Sequence, residues 1–345
     1  MSRETSRSIR EDREMRLISE QDIRKVFTMR DAIEADKMAF RMLAEGAVEV
    51  PLRTNIQAPS ADGCFLFMPA YAESLEAASL KIINVFPNNV AQGKPACPAQ
   101  VLLIDGNTGE IAAVLDGNTV TQFRTGAASG AAFDLLAKQD CRTGALIGTG
   151  GQAPAQLEAM ITARNLSEVK IFDVDAGRCR AFAERMEREL ESYGVPFKAA
   201  GTSVEAVEDA DLIITVTPSE TPVFDGSKVK AGATVSAVGA YQPHMQELPP
   251  SLLTRAAGIY FDSREAVLSE SGDILKPLED GIITEADFTG DLGELLLGRI
   301  PGRKNDDEIL VFETVGVAVQ DLVAAKKIYD KALECGIGTV WESGN

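Results

Sequence analysis

The sequence is poor in the residues from which metal centres and disulfide frameworks are built. His244 is the only histidine among 345 residues. This leaves almost no material for a histidine-based metal cluster or a Ser/His/Asp triad. The five cysteines are odd in number, scattered and without CxxC spacing, at Cys64, Cys97, Cys141, Cys179 and Cys335. Such a pattern is typical of free thiols in a reducing compartment. We therefore predict no disulfide framework and no metal site.

Positive charge and long apolar runs are also scarce. Lys and Arg number 34 against 52 Asp and Glu, a net charge of −18, and such a surplus repels nucleic acid and anionic membranes. No apolar run approaches the about 20 residues that cross a bilayer. The first residues, MSRETSRSIREDREMR, lack the apolar core of a signal peptide. We expect a cytoplasmic protein that binds neither nucleic acid nor membranes, whereas small anionic substrates remain compatible with local Arg and Lys in a cleft.

The second half of the chain, residues 129–317, alternates short apolar runs with helical patterns. The runs are uninterrupted and rich in β-branched residues: GALIG, EVKIFD, DLIITVT, ATVSAVG and GIYFDS. Continuous apolar strands indicate burial on both faces, as in a parallel sheet covered by helices. We predict an α/β fold with a doubly wound, Rossmann-type dinucleotide-binding domain in this part of the chain.

The remainder, residues 15–128 together with 318–345, has a different pattern. A helical segment, MRDAIEADKMAFRMLAEG, precedes strand candidates punctuated by Pro and Gly: CFLFMPAY, SLKIINVFP, AQVLLID and IAAVLDG. The segment DGNTGE between two of these runs is typical of a hairpin connection. We predict an α+β substrate-binding and dimerisation domain with an antiparallel sheet, onto which the C-terminal helix packs. Residues 1–14 are expected to be a disordered tail.

One glycine-rich segment has the pattern of a dinucleotide-binding loop. Gly148, Gly150 and Ala153 fill G-x-G-x-x-G/A between a predicted strand and a predicted helix. The three small residues permit the tight turn, the approach of backbone to the pyrophosphate, and close packing of helix on strand. Asp173 ends the second strand, where an acid accepts hydrogen bonds from ribose hydroxyls and repels a 2′-phosphate. Val174 follows rather than an arginine, so we predict NAD(H) over NADP(H). An ordinary turn and a helix-capping Asp173 are the alternatives.

Further residues of the predicted cofactor site come from other strands that end at the same carboxyl edge of the sheet. The segment TVTPSETPVF ends the next strand at the carboxyl edge, although it is also compatible with a plain Pro-containing loop. The predicted cofactor-binding residues are Gly148, Thr149, Gly150, Gly151, Gln152, Ala153, Asp173, Thr215, Thr217 and Val238.

Several motifs occur in an order that is specific to one family. They are LFMPAY, LKIINVFP, AQVLLIDGNTGEIAAVLDGNTVTQFRTGAASGAA, GTGGQA, TVTPSETPVF and VGAYQPHMQEL. The sequence resembles the ornithine cyclodeaminase/μ-crystallin family of NAD(P)-dependent proteins over about residues 16–340. The resemblance implies a homodimer in which a substrate-binding dimerisation domain is joined to a Rossmann domain. Family activities include cyclodeamination of ornithine or lysine, alanine dehydrogenation and reduction of cyclic ketimines.

The resemblance also implies a site for the substrate's carboxylate, formed by Arg53, Arg124 and Lys81. Guanidinium groups bind carboxylates bidentately and keep their charge at working pH. A lysine beside the reacting carbon can polarise an imine or pass a proton, so Lys81 is the predicted catalytic residue. From the residues alone, Arg53 is compatible with a surface salt bridge, Lys81 with a strand-edge or snorkelling residue, and Arg124 with a solvated helix residue.

Two positions depart from the cyclodeaminase pattern. Tyr241 stands where cyclodeaminases carry an aspartate general base, and Leu66 where they carry a glutamate for the distal amine. His244 is expected to be an exposed loop residue, and Asp273 either a helix N-cap or part of the cofactor's surroundings.

We therefore expect an oxidoreductase that uses NADH to reduce a small cyclic ketimine carboxylate of the pyrroline-2-carboxylate type to an L-amino acid. The alternatives, in order, are an alanine-dehydrogenase-like reductive aminase, an ornithine or lysine cyclodeaminase, and a non-catalytic, cofactor-bound protein like the crystallins. They differ in substrate and in product, so turnover separates them.

Overall fold

The structure is a computed structural model that describes residues 14–342, with side chains described as far as Trp341. Most of the predicted tail lies outside the described residues, but Glu14 is the first residue of a strand. The chain divides into two compact units. The first comprises the described residues through Thr28, Gly46–Thr121 and those from Asp321 onward, and the second comprises Met29–Glu45 and Gln122–Gln320.

The first unit is built on a seven-stranded sheet. Its order is β15-β1-β6-β5-β4-β3-β2, in which β1 and β6 are parallel and all other neighbours antiparallel. The predicted antiparallel sheet is thus present with one parallel pair. The elements are β1 (Glu14–Ile18), α1 (Glu20–Val26), β2 (Thr54–Ala58), β3 (Gly63–Ala72), β4 (Ala77–Val85), β5 (Ala99–Asp105), β6 (Ile111–Asp116), α11 (Ala318–Glu334) and β15 (Thr339–Glu342). Helix α11 begins in the second unit and continues in the first.

Two rows of paired residues show how the faces of this sheet differ. On the buried face, Met68, Lys81, Val101 and Leu115 lie opposite one another on β3, β4, β5 and β6. Because successive side chains of a strand point to opposite faces, the neighbouring row lies on the other face. That row is apolar and at most half-buried: Pro69, Leu80, Leu102, Val114 and Leu17.

The second unit is built on an eight-stranded sheet whose described pairs are all parallel. Its order is β13-β12-β14-β11-β10-β7-β8-β9. The strands are β7 (Thr143–Ile147), β8 (Glu168–Phe172), β9 (Phe197–Ala199), β10 (Leu212–Thr215), β11 (Thr234–Ala237), β12 (Gly258–Phe261), β13 (Phe288–Asp291) and β14 (Leu310–Glu313). The predicted doubly wound sheet is confirmed. Strand order reverses between β7 and β10, where such sheets bind ligands.

Helices cover the strands of this unit and include one from early in the chain. They are α2 (Met29–Glu45), α3 (Gly117–Leu136), α4 (Ala153–Ala163), α5 (Ala176–Glu189), α6 (Ser203–Val207), α7 (Pro250–Leu253), α8 (Arg264–Glu270), α9 (Gly272–Glu279) and α10 (Leu292–Leu296). Helix α3 begins in the first unit. Helix α2 belongs to the second unit and packs against α10 and α3: a Cβ added at Gly293 on α10 would lie 2.1 Å from the Phe40 carbonyl oxygen, and one at Gly130 on α3 would lie 2.5 Å from Ile33 Cδ1.

Three further properties concern the described residues only. All five cysteines are free thiols. None of the helices between residues 14 and 342 has both the length and the apolar character needed to cross a bilayer. Within the same range, His, Cys, Asp and Glu side chains form no group of three or more that could hold a metal ion.

Candidate functional site

The glycine loop lies between β7 and α4, at the edge where the strands of the second unit end. Gly148 has φ +103°, and a Cβ there would lie 2.7 Å from the carbonyl oxygen of Val216, so glycine is required. At Gly150 and Gly151 an added Cβ would meet nothing within 4 Å. Ala153 is fully buried at the start of α4. The loop therefore combines a tight turn and a closely packed helix with open space over its backbone, as a bound pyrophosphate requires.

Asp173 directly follows β8 and is tied to this loop. Its side chain is buried, and its Oδ2 accepts hydrogen bonds from the Thr149 amide at 3.0 Å and the Thr149 hydroxyl at 2.6 Å. Its Oδ1 accepts from the Asp175 amide at 2.9 Å and from Arg178 Nη2 at 2.6 Å. Burial opposes the charge, but these hydrogen bonds hold the pKa of Asp173 below its ordinary value. Asp175, not Asp173, caps α5.

The ends of β10 and β11 are joined by a buried carboxylate. Glu247 accepts hydrogen bonds from the amide of Thr217 at 2.5 Å and from the amide of Gly239 at 2.6 Å. Thr215 and Val238, two predicted cofactor-binding residues, are buried at the same strand ends. The buried Thr215 hydroxyl makes no hydrogen bond within the described residues. Glu247 thus joins the loops after β10 and β11, and the first of these borders the glycine loop at Gly148.

Glu247 belongs to a cluster of buried acids. The Asp273 carboxylate accepts from the amides of Glu247 and Leu248, both at 2.7 Å, so Asp273 is not the N-cap of α9; that position is Ser271. Ser271 in turn donates to Glu313 at 2.8 Å. Burial, reinforced by the charge of Asp273, raises the pKa of Glu247 to about 8. Burial likewise raises the pKa of Asp273 to about 6.

Arg124 lies on α3 in the second unit and is only 8% exposed, so it is not the solvated helix residue that the residues alone allowed. A Cβ added at Gly316, where φ is +81°, would lie 2.1 Å from Arg124 Nη1. The guanidinium therefore lies against the Gly316 backbone. Asp262 accepts hydrogen bonds from the amides of Gly316 at 2.7 Å and Val315 at 3.1 Å. Burial raises the pKa of Asp262, and the charge of Arg124 opposes this rise.

Lys81 lies on β4 in the first unit, in the interior of the sheet. Its Nζ is 2.7 Å from Oδ2 of Asp321 on α11, and both side chains are 0% exposed. A snorkelling lysine keeps its ammonium in water, so that interpretation and the strand-edge interpretation are both wrong. Asp321 was not predicted, because 240 residues of sequence separate it from Lys81. The signal available was one aspartate in a helical segment that is apolar apart from the preceding Gln320, GVAVQDLVAA.

The remaining singled-out residues occupy varied positions. Arg53 is half-buried immediately before β2. Leu66 is buried on β3, on the same face as Met68 and therefore as Lys81. In the second unit, Tyr241 is 36% exposed in the loop after β11. His244 is exposed in the same loop, as expected, and its carbonyl oxygen accepts from Lys276 Nζ at 2.6 Å.

Comparison with known proteins identifies relatives along nearly the whole chain. The model of the ornithine cyclodeaminase/mu-crystallin family matches residues 13–336. A Delta(1)-pyrroline-2-carboxylate reductase of Bacillus cereus is 36% identical over 324 residues, which is 94% of this chain and 98% of the relative. The family expectation is therefore confirmed.

Solved structures agree with the sequence relatives. The Delta(1)-pyrroline-2-carboxylate reductase of Thermococcus litoralis, in complex with NADH and L-proline, superposes with a TM-score of 0.89 at 37% identity and covers 94% of this chain and 99% of its own. An archaeal alanine dehydrogenase dimer with bound NAD has a TM-score of 0.87 at 31% identity and covers 96% of this chain and 100% of its own. The fold expected from the sequence is confirmed by both.

The raised pKa of Glu247 predicts a specific dependence of stability on pH. Between its ordinary value of 4.5 and about 8, the folded state holds a proton that the unfolded state has released. The free energy of unfolding should therefore fall as pH rises through this window, by up to about 1.4 kcal/mol per pH unit for one proton. Urea denaturation of the wild type and of Glu247→Gln at several pH values measures this slope, which the substitution should reduce.

The matched control is Glu184→Gln, because Glu184 is an exposed glutamate on α5. Its slope should equal that of the wild type. An unchanged slope in Glu247→Gln would contradict the assignment of the proton to Glu247.

Proposed function

Because the chain belongs to the ornithine cyclodeaminase/mu-crystallin family, we propose that it is an oxidoreductase that uses NADH to reduce a small cyclic ketimine carboxylate to an L-amino acid. The substrate we propose is of the pyrroline-2-carboxylate type. The observation that carries this proposal is the likeness, over nearly the whole chain, to a reductase whose structure holds NADH and L-proline. The reaction converts a C=N bond to CH–NH, which needs one hydride at carbon and one proton at nitrogen.

The residues that would hold the dinucleotide lie in the second unit. The backbone of Gly150 and Gly151 is open to a pyrophosphate, and the N-terminus of α4 favours its negative charge. Asp173 would accept hydrogen bonds from the adenosine ribose, and Thr215, Thr217 and Val238 would border the cofactor at the strand ends. When bound, NADH supplies the hydride; the protein supplies alignment and charge.

The proposed substrate residues are cationic. We propose that Arg53 and Arg124 each bind the substrate's carboxylate, for which a guanidinium is suited by shape and permanent charge. Lys81 is the proposed proton donor to the imine nitrogen. Protonation makes the imine carbon more electrophilic, and the same proton becomes the N–H of the product. No metal is needed for this sequence of events.

Asp321 is the proposed positioning partner of Lys81. Burial disfavours the charge of an ammonium, and the Asp321 carboxylate at 2.7 Å supplies the compensating charge. An ammonium held in place by a fixed carboxylate can act as a general acid. Asp321 also restricts the Nζ atom to one side of the sheet, which fixes the direction from which a proton would come.

One alternative function is favoured by a specific observation. The likeness to an archaeal alanine dehydrogenase with bound NAD is nearly as extensive as that to the reductases. A reductive aminase would need free ammonium and pyruvate, whereas a ketimine reductase needs a preformed cyclic imine. A cyclodeaminase and a non-catalytic binding protein are less well supported. The first would need carboxylates at positions that are Leu66 and Tyr241 here.

The proposal predicts a defined substrate profile. NADH oxidation should be at least about tenfold faster with pyrroline-2-carboxylate or piperideine-2-carboxylate than with pyruvate plus ammonium, because a site shaped for one substrate discriminates by differential transition-state binding. Absorbance at the nicotinamide band measures both, and an ammonia assay with ornithine and lysine tests cyclodeamination. Faster turnover of pyruvate plus ammonium would favour the reductive aminase, and tight NADH binding without any turnover would favour a binding protein.

Removal of Lys81 should abolish proton donation. Lys81→Met alone removes the ammonium that lies 2.7 Å from the buried Asp321 carboxylate, and the loss of one partner of a buried ion pair destabilises proteins by about 3–5 kcal/mol. The double variant Lys81→Met with Asp321→Asn removes both charges and should stay folded. It should bind NADH like the wild type while kcat falls by about 10²-fold or more, the usual size of general acid catalysis.

Thermal unfolding and NADH fluorescence verify that the double variant is intact. Asp321→Asn alone should lower kcat while NADH binding is kept, because Lys81 then loses the carboxylate that positions its Nζ atom. Wild-type ketimine turnover by the folded double variant would contradict the role of Lys81.

We also propose that the protein is a homodimer formed through the first unit. The row Leu17, Val114, Leu102, Leu80 and Pro69 crosses five strands on the half-buried face of the sheet. Contiguous exposed apolar surface on a soluble protein typically marks an interface. The similar archaeal alanine dehydrogenase is a dimer, which supports a second copy of this chain as the occupant of the face.

A charge in the middle of this row should disrupt the dimer. Leu102→Glu places a carboxylate against the opposing apolar surface, and an unpaired buried charge opposes association. Light scattering after gel filtration should show a mass near the 36.9 kDa of one chain, against twice that mass for the wild type. Val174→Glu, on the second unit, is the control and should remain dimeric. A dimeric Leu102→Glu would place the interface elsewhere.

We propose a cytoplasmic location as well. All five cysteines are free, as is usual for proteins in a reducing compartment. A dinucleotide-dependent reductase also needs the NADH pool, which is intracellular.

A further inference from the structure

The carboxylate proposed to bind the adenosine ribose already has four donors. Asp173 Oδ2 accepts from the amide and the hydroxyl of Thr149, and Oδ1 accepts from the Asp175 amide and from Arg178. A carboxylate offers about four lone-pair positions for hydrogen bonds. All of them are therefore taken within the protein. Ribose hydroxyls can donate to Asp173 only if one of these donors gives way.

Arg178 is the donor that can leave. The amides of Thr149 and Asp175 are parts of the backbone, and the Thr149 hydroxyl is buried in the glycine loop. The Arg178 side chain, by contrast, is 58% exposed and reaches Asp173 from the first turn of α5. An exposed ion pair is worth little in water, so displacing Arg178 has a small cost. The guanidinium keeps its positive charge wherever it moves.

We propose that Arg178 determines the balance between NADH and NADPH, and that the protein binds both. This inference rests on the proposed use of a nicotinamide dinucleotide. With NADH, the ribose hydroxyls take the place of Arg178 on Oδ1 of Asp173. With NADPH, the guanidinium leaves Asp173 and binds the 2′-phosphate bidentately, a geometry for which the group is suited. Thr149 and Asp175 continue to hold the carboxylate in both cases.

The charges at this position explain why one arginine can have opposite effects on the two cofactors. Asp173 repels a 2′-phosphate, and without a nearby cation it would exclude NADPH. Arg178 neutralises that carboxylate in the free protein and supplies an attractive charge for the phosphate. Towards NADH it is a competitor, because it occupies the acceptor that the ribose needs. The adjacent Val174 is 91% exposed and carries no charge. Arg178, four residues further on, therefore takes the role that an arginine at the strand end would have, which is to bind the 2′-phosphate.

Direct binding measurements test this inference without turnover. The fluorescence of NADH and NADPH is titrated with wild type, Arg178→Ala, Arg180→Ala and Asp173→Ala. Arg180 is exposed on the same helix with the same charge, and lies on the opposite side of it from Arg178 because residues two apart differ by about 200°. It is therefore the matched control and should leave both affinities unchanged.

Arg178→Ala should weaken NADPH binding by about tenfold or more, the size expected for a lost charge-assisted pair. It should leave NADH binding unchanged or tighter. Arg178→Lys should restore part of the NADPH affinity, and Asp173→Ala should raise NADPH affinity relative to NADH.

Three results would overturn the inference. The first is that the wild type binds NADH but not NADPH. The second is that Arg178→Ala changes the affinities for both cofactors equally. The third is that Arg180→Ala weakens NADPH binding as much as Arg178→Ala does. In each of these, NADH still binds and the proposed function stands. Wild type that binds neither dinucleotide would instead refute the proposed function together with this inference.

Discussion

All described strand pairs of the second unit are parallel, so the strands end at one edge and their loops must share a small volume. The consequence is visible where β7 and β11 end. A Cβ at Gly148 would lie 2.7 Å from the carbonyl oxygen of Val216, and one at Gly239 would lie 2.1 Å from that of Thr217. Only glycine allows such approach. The proposed pyrophosphate site depends on this crowding, because the crowding brings backbone amides together where a phosphate can reach them.

Backbone amides at a crowded sheet edge need hydrogen-bond acceptors. In this protein the acceptors are buried carboxylates. Glu247 accepts from both Thr217 and Gly239, and Asp273 accepts from the amide of Glu247 itself. Burying carboxylates is costly, and the raised pKa values reflect it. The amide hydrogen bonds offset part of that cost. The cofactor-side loops are therefore held by groups whose protonation depends on pH, so loop geometry and stability are linked.

The sequence predicts what is local and misses what is distant. Uninterrupted apolar runs locate β7, β8, β10, β11 and β12, because burial on both faces leaves a strong signal in few residues. Strand β14 was not predicted, although it is inserted between β11 and β12. Its segment, LVFE, ends in an acid that is buried in the fold, Glu313. The hydrophobic pattern of a short segment does not indicate which strands it pairs with in the sheet.

Side-chain partners were harder to predict than strands. The pattern of glycines and the position of Asp173 follow from spacing within about 25 residues. The pair of Lys81 with Asp321 and the two amides on Glu247 require knowledge of which elements pack together. Arg178 illustrates an intermediate case. It is close to Asp173 in sequence, but only the adjacent position, Val174, was considered for a charged residue, whereas the first turn of α5 returns its third residue to the strand end.

The buried face of the first unit favours imine reduction over cyclodeamination. Leu66 pairs with Ile83 on β3 and β4, and Lys81, two residues earlier on β4, lies on the same face. The family resemblance implies that cyclodeaminases hold a distal amine with a glutamate at the position of Leu66. An apolar side chain there gives an ammonium no partner, and desolvating that charge would oppose binding of a diamino acid. A cyclic ketimine has no free distal amine, so the same apolar surface suits its ring methylenes. Lys81 and Asp321 form a buried charged pair, and the proposed function uses this pair as its proton source.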